Sequence, residues 1–344
     1  MRSLTALVPT TALCFSSMSL IGGTANADPV ADFYRNGKIT VVLAGGPGAI
    51  HSIYTQLLAP YVRKHMSGNP SLVVNSMPGA GGTIAANYLY NVAPKDGGTI
   101  GSLLPEMPMS ARFGTAGNRF DPLKFSYLAG ADVTNSTITL MRTAGVSSIA
   151  EAREKVAVIA AGGPGSQTFI TPTVANAVLG TKFKVVTGYN GLNAMDIAVD
   201  RGEAHGRSGS WSSIKATRPH WLTSNLVVHL AIVGPEREPD LPDVPLLTEL
   251  AATPQDRAVL SLISDNALLG RMWLAPPGVP EERVTALRKA FWKALNDPEL
   301  IAEAKAKELD LRPLPAKKLA ATVEQIMKAD DATVDRLKSI LASP

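Results

Sequence analysis

Cysteine is almost absent from this chain of 344 residues, since the only one is Cys14. It lies inside the apolar stretch 4–21, near the start of the sequence. Residues after position 27 therefore have no thiol, which excludes disulfides, cysteine metal sites and a cysteine nucleophile from that part. No later segment is apolar enough to span a bilayer.

Runs of like charge are also missing. Charged residues make up 18% of the chain, and the formal net charge of +4 falls to +3 without residues 1–27, in which Arg2 is the only charge. Without a basic run interleaved with aromatic residues, nucleic acid is not an expected partner.

The sequence lacks the usual motifs of catalysis and metal binding. It has no Gly-x-Ser-x-Gly arrangement, no phosphate loop ending in Gly-Lys-Ser/Thr, and no histidine pair at the spacing of a zinc helix. We therefore predict no catalytic residue, no metal and no cofactor.

Residues 1–27 have the pattern of an export signal. Arg2 precedes the apolar stretch, and Ala25-Asn26-Ala27 places small residues where signal peptidase cleaves. The residues before Cys14, Thr11-Ala12-Leu13, do not form a lipobox. We expect cleavage near Ala27, no lipid anchor, and a soluble periplasmic product.

A pentapeptide occurs twice, as Ala44-Gly45-Gly46-Pro47-Gly48 and as Ala161-Gly162-Gly163-Pro164-Gly165. Each copy follows a short apolar run typical of a buried parallel strand and precedes a predicted helix. Loops at such junctions present unpaired backbone N–H groups, and the helix dipole adds partial positive charge. The repetition predicts two similar lobes whose loops face one anionic ligand.

A third loop of this type, Thr187-Gly188-Tyr189-Asn190-Gly191, follows the strand-like run 183–186. Three such junctions can converge on one cleft. The chain contains 29 glycines and 25 prolines, however, so the alternative of ordinary strand-to-helix turns without a ligand stays open.

Strand and helix patterns alternate through residues 39–104, which indicates a mostly parallel sheet covered by helices. The last quarter is predicted to be helical. Apolar stripes mark three helices whose faces we assign to core packing: Val284, Leu287, Phe291 and Leu295; Leu319, Val323, Ile326 and Met327; and Val334, Leu337 and Leu341.

Three stretches resemble a known family. The run 75–97, including Met77-Pro78-Gly79-Ala80-Gly81-Gly82, is similar to the tripartite tricarboxylate transporter substrate-binding receptors, the Bug family. The loops around Gly163 and Gly188, with Asp196, and the segment Ala275-Pro276-Pro277-Gly278-Val279-Pro280 add to this resemblance. It covers nearly all of the chain after residue 27.

The resemblance implies an α/β type II periplasmic binding protein with two lobes of mostly parallel sheet around a ligand cleft. We expect a first lobe from 28–130 and 270–344 and a second from 131–269. The loops would hold a carboxylate through backbone N–H groups and bridging waters. The implied ligand-binding residues are Gly46, Pro47, Gly48, Ala49, His51, Ser52, Gly163, Gly165, Ser166, Gln167, Gly188, Tyr189, Asn190 and Asp196.

The sequence departs from the family at some of these positions. Ile50 and His51 stand where a glycine-rich stretch ends in Asp in the family, Gln56 replaces an Arg, and Phe169 stands where many members have His. The specificity should therefore differ from that of relatives with Asp. We interpret His51 as a residue that lines the pocket or belongs to the loop, and not as a metal ligand.

Other polar residues near the loops have competing interpretations. Ser52 and Ser166 can cap the helices that follow them, and Ser166 has no evident histidine partner for a nucleophilic role. Arg207 and Trp211 can line the cleft, or they are a solvated arginine and a packed tryptophan.

The expected function is that of an extracytoplasmic, monomeric receptor that captures a small organic carboxylate and delivers it to membrane permease subunits. An exported ligand sensor for a two-component system is an alternative. An exported hydrolase is a further one, although the sequence offers no nucleophile and base.

Overall fold

The computed structural model describes residues 28–46 and 49–342. The expected signal segment, Pro47 and Gly48 lie outside the described residues. The strands are β1 Lys38–Leu43, β2 Ser71–Ser76, β3 Thr99–Ser102, β4 Ser126–Gly130, β5 Ser136–Met141, β6 Ala157–Ala160, β7 Phe183–Val186, β8 Gly206–Ser210, β9 Val227–Val233, β10 Met272–Ala275 and β11 Leu314–Pro315. The α-helices are α1 Pro29–Tyr34, α2 Ile50–His65, α3 Thr83–Asn91, α4 Met107–Arg112, α5 Ile149–Glu154, α6 Gln167–Leu179, α7 Leu192–Asp200, α8 Trp211–Thr217, α9 Pro219–Thr223, α10 Pro254–Ser264, α11 Glu281–Leu295, α12 Pro298–Ala306, α13 Ala316–Met327 and α14 Asp331–Ala342.

The first lobe contains a six-stranded sheet in the order β11-β4-β10-β3-β1-β2. β1 pairs in parallel with β2 and β3, as the alternating strands and helices of residues 39–104 predict. β10 is antiparallel to both β3 and β4, so β4 points the same way as β1 to β3. The carboxyl ends of these four strands therefore lie at one edge.

The second lobe contains a five-stranded sheet in the order β7-β6-β8-β5-β9. β6 is parallel to β7 and β8, whereas β5 is antiparallel to β8 and β9. The α/β class and the two lobes are confirmed. Most strands of each sheet point the same way, and the reversed strands lie beside the connections between the lobes.

Two crossovers join the sheets at these edges. The first, residues 131–135, leads from the carboxyl end of β4 to β5, whose first residue, Ser136, pairs with Ser210 at the carboxyl end of β8. The second crossover, which returns the chain to the first lobe, enters β10 at Met272, opposite Gly130 of β4. Because both connections meet the carboxyl edges, the loops that follow the parallel strands lie on the two sides of the junction.

Helices cover both sheets with the faces that their apolar stripes predict. Val284, Leu287, Phe291 and Leu295 of α11 are buried against α2 and β4. α2 continues to His65 although Pro60 lies within it.

The last two helices reach both lobes. α13 packs on α4 and β4 through Leu319 and Val323, whereas α14 packs on α6 and α10 with Val334 and Leu337 buried. The short segment between them therefore links the two lobes a third time.

Candidate functional site

The loop after β1 lies against the ends of the neighbouring strands. The amide of Ala44 donates to the Ser102 carbonyl at 3.2 Å, and that of Met77 to the Leu43 carbonyl at 2.8 Å. A Cβ placed on Gly46 would meet no atom within 4 Å. There is therefore open space beside Gly46. The next two residues of the loop, Pro47 and Gly48, are outside the described ranges.

The loops after β6 and β7 are bonded to each other. The Ala161 amide donates to the Val186 carbonyl at 2.8 Å, and the Tyr189 amide donates back to the Ala161 carbonyl at 3.3 Å. A Cβ at Gly163, Gly165 or Gly188 would meet nothing within 4 Å. The structure thus brings the second copy of the pentapeptide and the third glycine loop together, with open space beside them.

The helices that follow these loops begin without a side-chain cap. α2, α6 and α7 have Ala49, Ser166 and Gly191 at the N-cap, and none of these residues caps a backbone amide of its helix with a side chain. The first amides of a helix have no partner within the helix. Three groups of backbone donors therefore remain for another acceptor.

The predicted capping role of Ser52 is wrong. α2 begins two residues earlier, at Ile50, so Ser52 lies in its first turn and is buried. Its Oγ accepts a hydrogen bond of 3.0 Å from Nε2 of Gln56.

Side-chain capping by Ser166 is also wrong, although the residue does occupy the N-cap. Its Oγ donates to the Gly163 carbonyl at 2.8 Å and lies 2.8 Å from Oγ1 of Thr168. Thr168, which the sequence analysis missed, accepts from the Gly162 amide at 3.0 Å. The next residue, Gln167, donates from Nε2 to Oγ1 of Thr171 at 3.2 Å. The bonds made by Ser166 and Thr168 hold the shape of the loop before α6.

His51 connects the first turn of α2 to the return crossover. Its Nε2 is 3.2 Å from the carbonyl of Gly270. A carbonyl only accepts, so Nε2 carries the proton. Burial, together with the Arg271 guanidinium, lowers the pKa of His51 to about 4. The ring is therefore neutral at pH 7.

Asp196 and Arg207 form a buried ion pair between α7 and β8. The Arg207 Nε donates to Oδ1 of Asp196, and both side chains are fully buried. Oδ2 of Asp196 accepts a long bond of 3.4 Å from Thr217. The alternative of a solvated Arg207 is therefore wrong, whereas the packed interpretation of Trp211 is confirmed by its burial.

A second charged cluster, which the sequence analysis missed, joins the crossovers. Asp132 on the first crossover is 3.0 Å from Nη1 of Arg271 on the return and 3.1 Å from Nε of Arg312. Arg312 also reaches Glu238 at 3.0 Å. Burial raises the pKa of Asp132 to about 6, against the opposing effect of the two arginines. No spacing in the sequence signals this cluster, because only the tertiary fold brings its members together.

A cavity of about 510 Å³ also lies between the lobes, beside the ion pair of Lys215 and Asp310. It is lined by α8 and α9 on one side and by α12 and the segment 308–311 on the other. None of the sequence-predicted site residues lines it. The glycine loops therefore form a separate region from this cavity.

Within the described ranges, no three His, Cys, Asp or Glu side chains are grouped closely enough to hold a metal ion. The helices described include none with the length and apolarity needed to cross a bilayer.

Solved structures share the fold of this chain. No protein-family profile and no curated protein sequence matches the chain. A TctC solute-binding protein from Polaromonas, solved with no ligand, is 17% identical with a TM-score of 0.66, over 89% of this chain and 99% of that one. The periplasmic binding protein BugD is 18% identical with a TM-score of 0.65, over 89% and 98%.

An R. palustris protein solved with adipate is 20% identical with a TM-score of 0.66, over 89% of this chain and 97% of the other. These likenesses span both lobes and almost the whole length of each neighbour. The chain therefore has the two-lobed fold of the TctC and Bug solute-binding proteins.

Proposed function

We propose that this protein is a receptor of the tripartite tricarboxylate transporter type that binds a small organic carboxylate between its glycine loops. The observation that carries the proposal is the absence of side-chain caps on α2, α6 and α7, beside glycines that face open space. Free amides at helix starts favour an anion, with each helix dipole adding about 0.3 to 1 kcal/mol at an exposed site.

The proposed site keeps the residues of the sequence prediction, but Ser52 and Asp196, whose side chains are buried, do not contact the ligand directly. Gly46, Gly163, Gly165 and Gly188 supply open backbone, and Ser166 and Thr168 maintain the loop shape. Asp196 acts at a distance, because its carboxylate is fully buried and paired with Arg207. His51 is neutral at pH 7, so it offers a polar wall and not a positive charge.

Delivery to membrane permease subunits, export through cleavage near Ala27, a periplasmic location and a monomeric state belong to the same proposal. The likeness to BugD, a periplasmic binding protein, supports the location, and the likeness to a protein solved with adipate supports a carboxylate ligand. A ligand sensor of a two-component system would bind its ligand at the same loops. The two roles therefore differ only in the membrane partner. Uptake of labelled ligand with and without the permease separates transport from sensing.

A hydrolase is the less favoured alternative. Among the described residues, the Ser166 hydroxyl bonds to the Gly163 carbonyl and Thr168, and no histidine bonds to it. A nucleophilic serine needs a base within hydrogen-bond reach. The arrangement therefore supports binding over turnover.

The test is a thermal-shift screen of adipate, succinate, citrate and benzoate, followed by calorimetry on each stabilising compound and mass analysis after incubation. We expect at least one carboxylate to bind and to be recovered unchanged. If none of the four raises the melting temperature, and native mass spectrometry detects no retained organic acid, the carboxylate proposal fails. Recovery of a cleaved product would favour the hydrolase.

A further inference from the structure

Arg207 is a charged residue inside an apolar part of the second lobe. Its side chain has no exposed surface, and its guanidinium carbon is 5.9 Å from the ring centre of Trp221. Met195, Trp211 and Ile214 belong to the same buried cluster. A guanidinium in such surroundings normally has all its donors paired, because unpaired buried polar groups are costly.

Most of the Arg207 donors nevertheless have no partner. Nε donates to Asp196, but neither Nη1 nor Nη2 bonds to any of the residues described. The pair of charges satisfies one edge of the guanidinium only. The other N–H groups are therefore buried without an acceptor among the described residues.

The unpaired end of Arg207 is directed towards the glycine loops. Gly209 lies on the same face of β8, two residues nearer to the edge, and a Cβ added there would collide with Nη1 of Arg207. The same Cβ would lie 2.9 Å from Cδ2 of Leu192, the first residue of α7. The guanidinium thus lies over Gly209, near Leu192 at the start of α7, the helix that follows the loop 188–191.

The positive end of the ion pair therefore lies nearer to the start of α7 than the negative end does. Asp196 is four positions further along α7 than Leu192, so the negative partner is deeper and the Nη groups are nearer to the helix start. The helix dipole also places its positive end there. Both act in surroundings of low polarity, in which charges are screened little.

We infer that Arg207 determines the preference of the second-lobe loops for an anionic ligand group, acting from beneath the start of α7. This inference rests on the proposed carboxylate-binding function. The carboxylate occupies the open side of Gly188–Gly191, and the Arg207 charge stabilises it across Leu192. Asp196 keeps the guanidinium in place, and Gly209 leaves room for it.

The test separates the effect of the Arg207 charge from the effect of its side-chain shape, in the full-length protein. Asp196→Asn combined with Arg207→Gln removes both charges and leaves polar side chains, whereas Arg207→Lys keeps the ion pair. Calorimetry uses the tightest-binding acid among adipate, succinate, citrate and benzoate. We expect about tenfold weaker binding in the neutral double variant, because the positive end of the ion pair is the end nearer to the ligand, and less than about threefold in Arg207→Lys.

A third variant, Gly209→Ala, keeps both charges but forces the guanidinium from its position, and it should also weaken binding. Gly209→Ala replaces the double variant as the test if circular dichroism shows that the double variant is unfolded. If the double variant is folded and binds as tightly as the parent, this inference alone is overturned. If the double variant is unfolded, the same conclusion follows when Gly209→Ala binds as tightly as the parent. An equal loss in Arg207→Lys and the double variant also overturns it, since the role would then be one of shape. A parent that binds none of the four acids overturns the proposed function as well.

Discussion

Several glycines of the candidate site have empty space beside them. Gly46, Gly163 and Gly165 do not have positive φ angles, so backbone conformation does not require glycine at these positions. Gly188, with φ of +103°, does require it. At the first three positions a side chain would fit the protein but would occupy the space over the backbone donors.

We therefore expect Gly165→Val, and separately Gly46→Val, to weaken carboxylate binding with little loss of stability. Losing one charge-assisted hydrogen bond costs roughly 1.5 to 3 kcal/mol, or about ten- to a hundredfold in affinity. Calorimetry on variants with a native circular dichroism spectrum measures this. Ala116→Val, in an exposed turn of the first lobe, is the matched control. Unchanged affinity in both glycine variants would mean that the loops are ordinary turns.

His51 should make stability depend on pH. Its pKa is about 4 in the folded protein and near 6.5 when unfolded, so folding favours the neutral ring. This contribution is fully present above about pH 6.5 and is lost as the pH falls towards 4, by roughly 3 kcal/mol in all. His229, with a folded pKa of about 4, acts in the same direction.

Urea unfolding at pH 7 and pH 4.5 checks this in a His51→Gln variant. The loss of stability between the two pH values should be smaller in the variant than in the parent. Asp132 has the opposite sign, because its raised pKa adds stability as the pH falls below about 6, and it is common to both proteins. His220→Gln, at an exposed position, is the control. An identical pH difference in the parent and His51→Gln would contradict the prediction.

At the scale of elements, α14 completes the second lobe from the far end of the chain. Its buried residues Val334 and Leu337 contact the layer formed by α6 and α10, and Arg336 bonds to Asp256 of α10 at 2.5 Å. α6 begins at the candidate site. The last helix therefore supports the element that carries the second pentapeptide loop.

Leu337→Ala should lower the free energy of unfolding by roughly 2 to 5 kcal/mol, because it leaves a cavity at a fully buried position. Ser339→Ala, exposed on the same helix, should stay within about 0.5 kcal/mol of the parent. Denaturant unfolding followed by circular dichroism measures both. Similar values for the two variants would show that α14 contributes little to the packing.

The elements near the site were predictable to different degrees. The strands before both pentapeptides and the helices after them follow from apolar runs and glycine positions. The start of α2 does not, because Ser52 suggests a cap, whereas the helix begins at Ile50. At this helix start, the position at which β1 ends outweighs the preference of serine for the N-cap.

At the scale of the whole molecule, the two lobes should close when a carboxylate binds. The loops of both lobes lie beside a junction that consists of short crossovers and the linker between α13 and α14. A ligand held by both sets of loops favours the closed form. At a hundred times its dissociation constant it should add about 2.7 kcal/mol to stability.

Small-angle scattering with and without the best acid from the screen tests closure. We expect a smaller radius of gyration with ligand and no change with an acid that does not bind. A compound that clearly stabilises the protein but leaves the radius of gyration unchanged would refute closure.

The sequence by itself determined the α/β class, the two similar lobes, the stripes of the last helices and the glycine loops, because these depend on local periodicity and on a repeated pentapeptide. Only the tertiary structure decided the charged contacts. Asp132 and Arg271 meet because two crossovers run side by side, and Arg207 is buried because α7 folds over β8. Such contacts join residues far apart in the chain or on different elements, so the residue types alone give no sign of their partners.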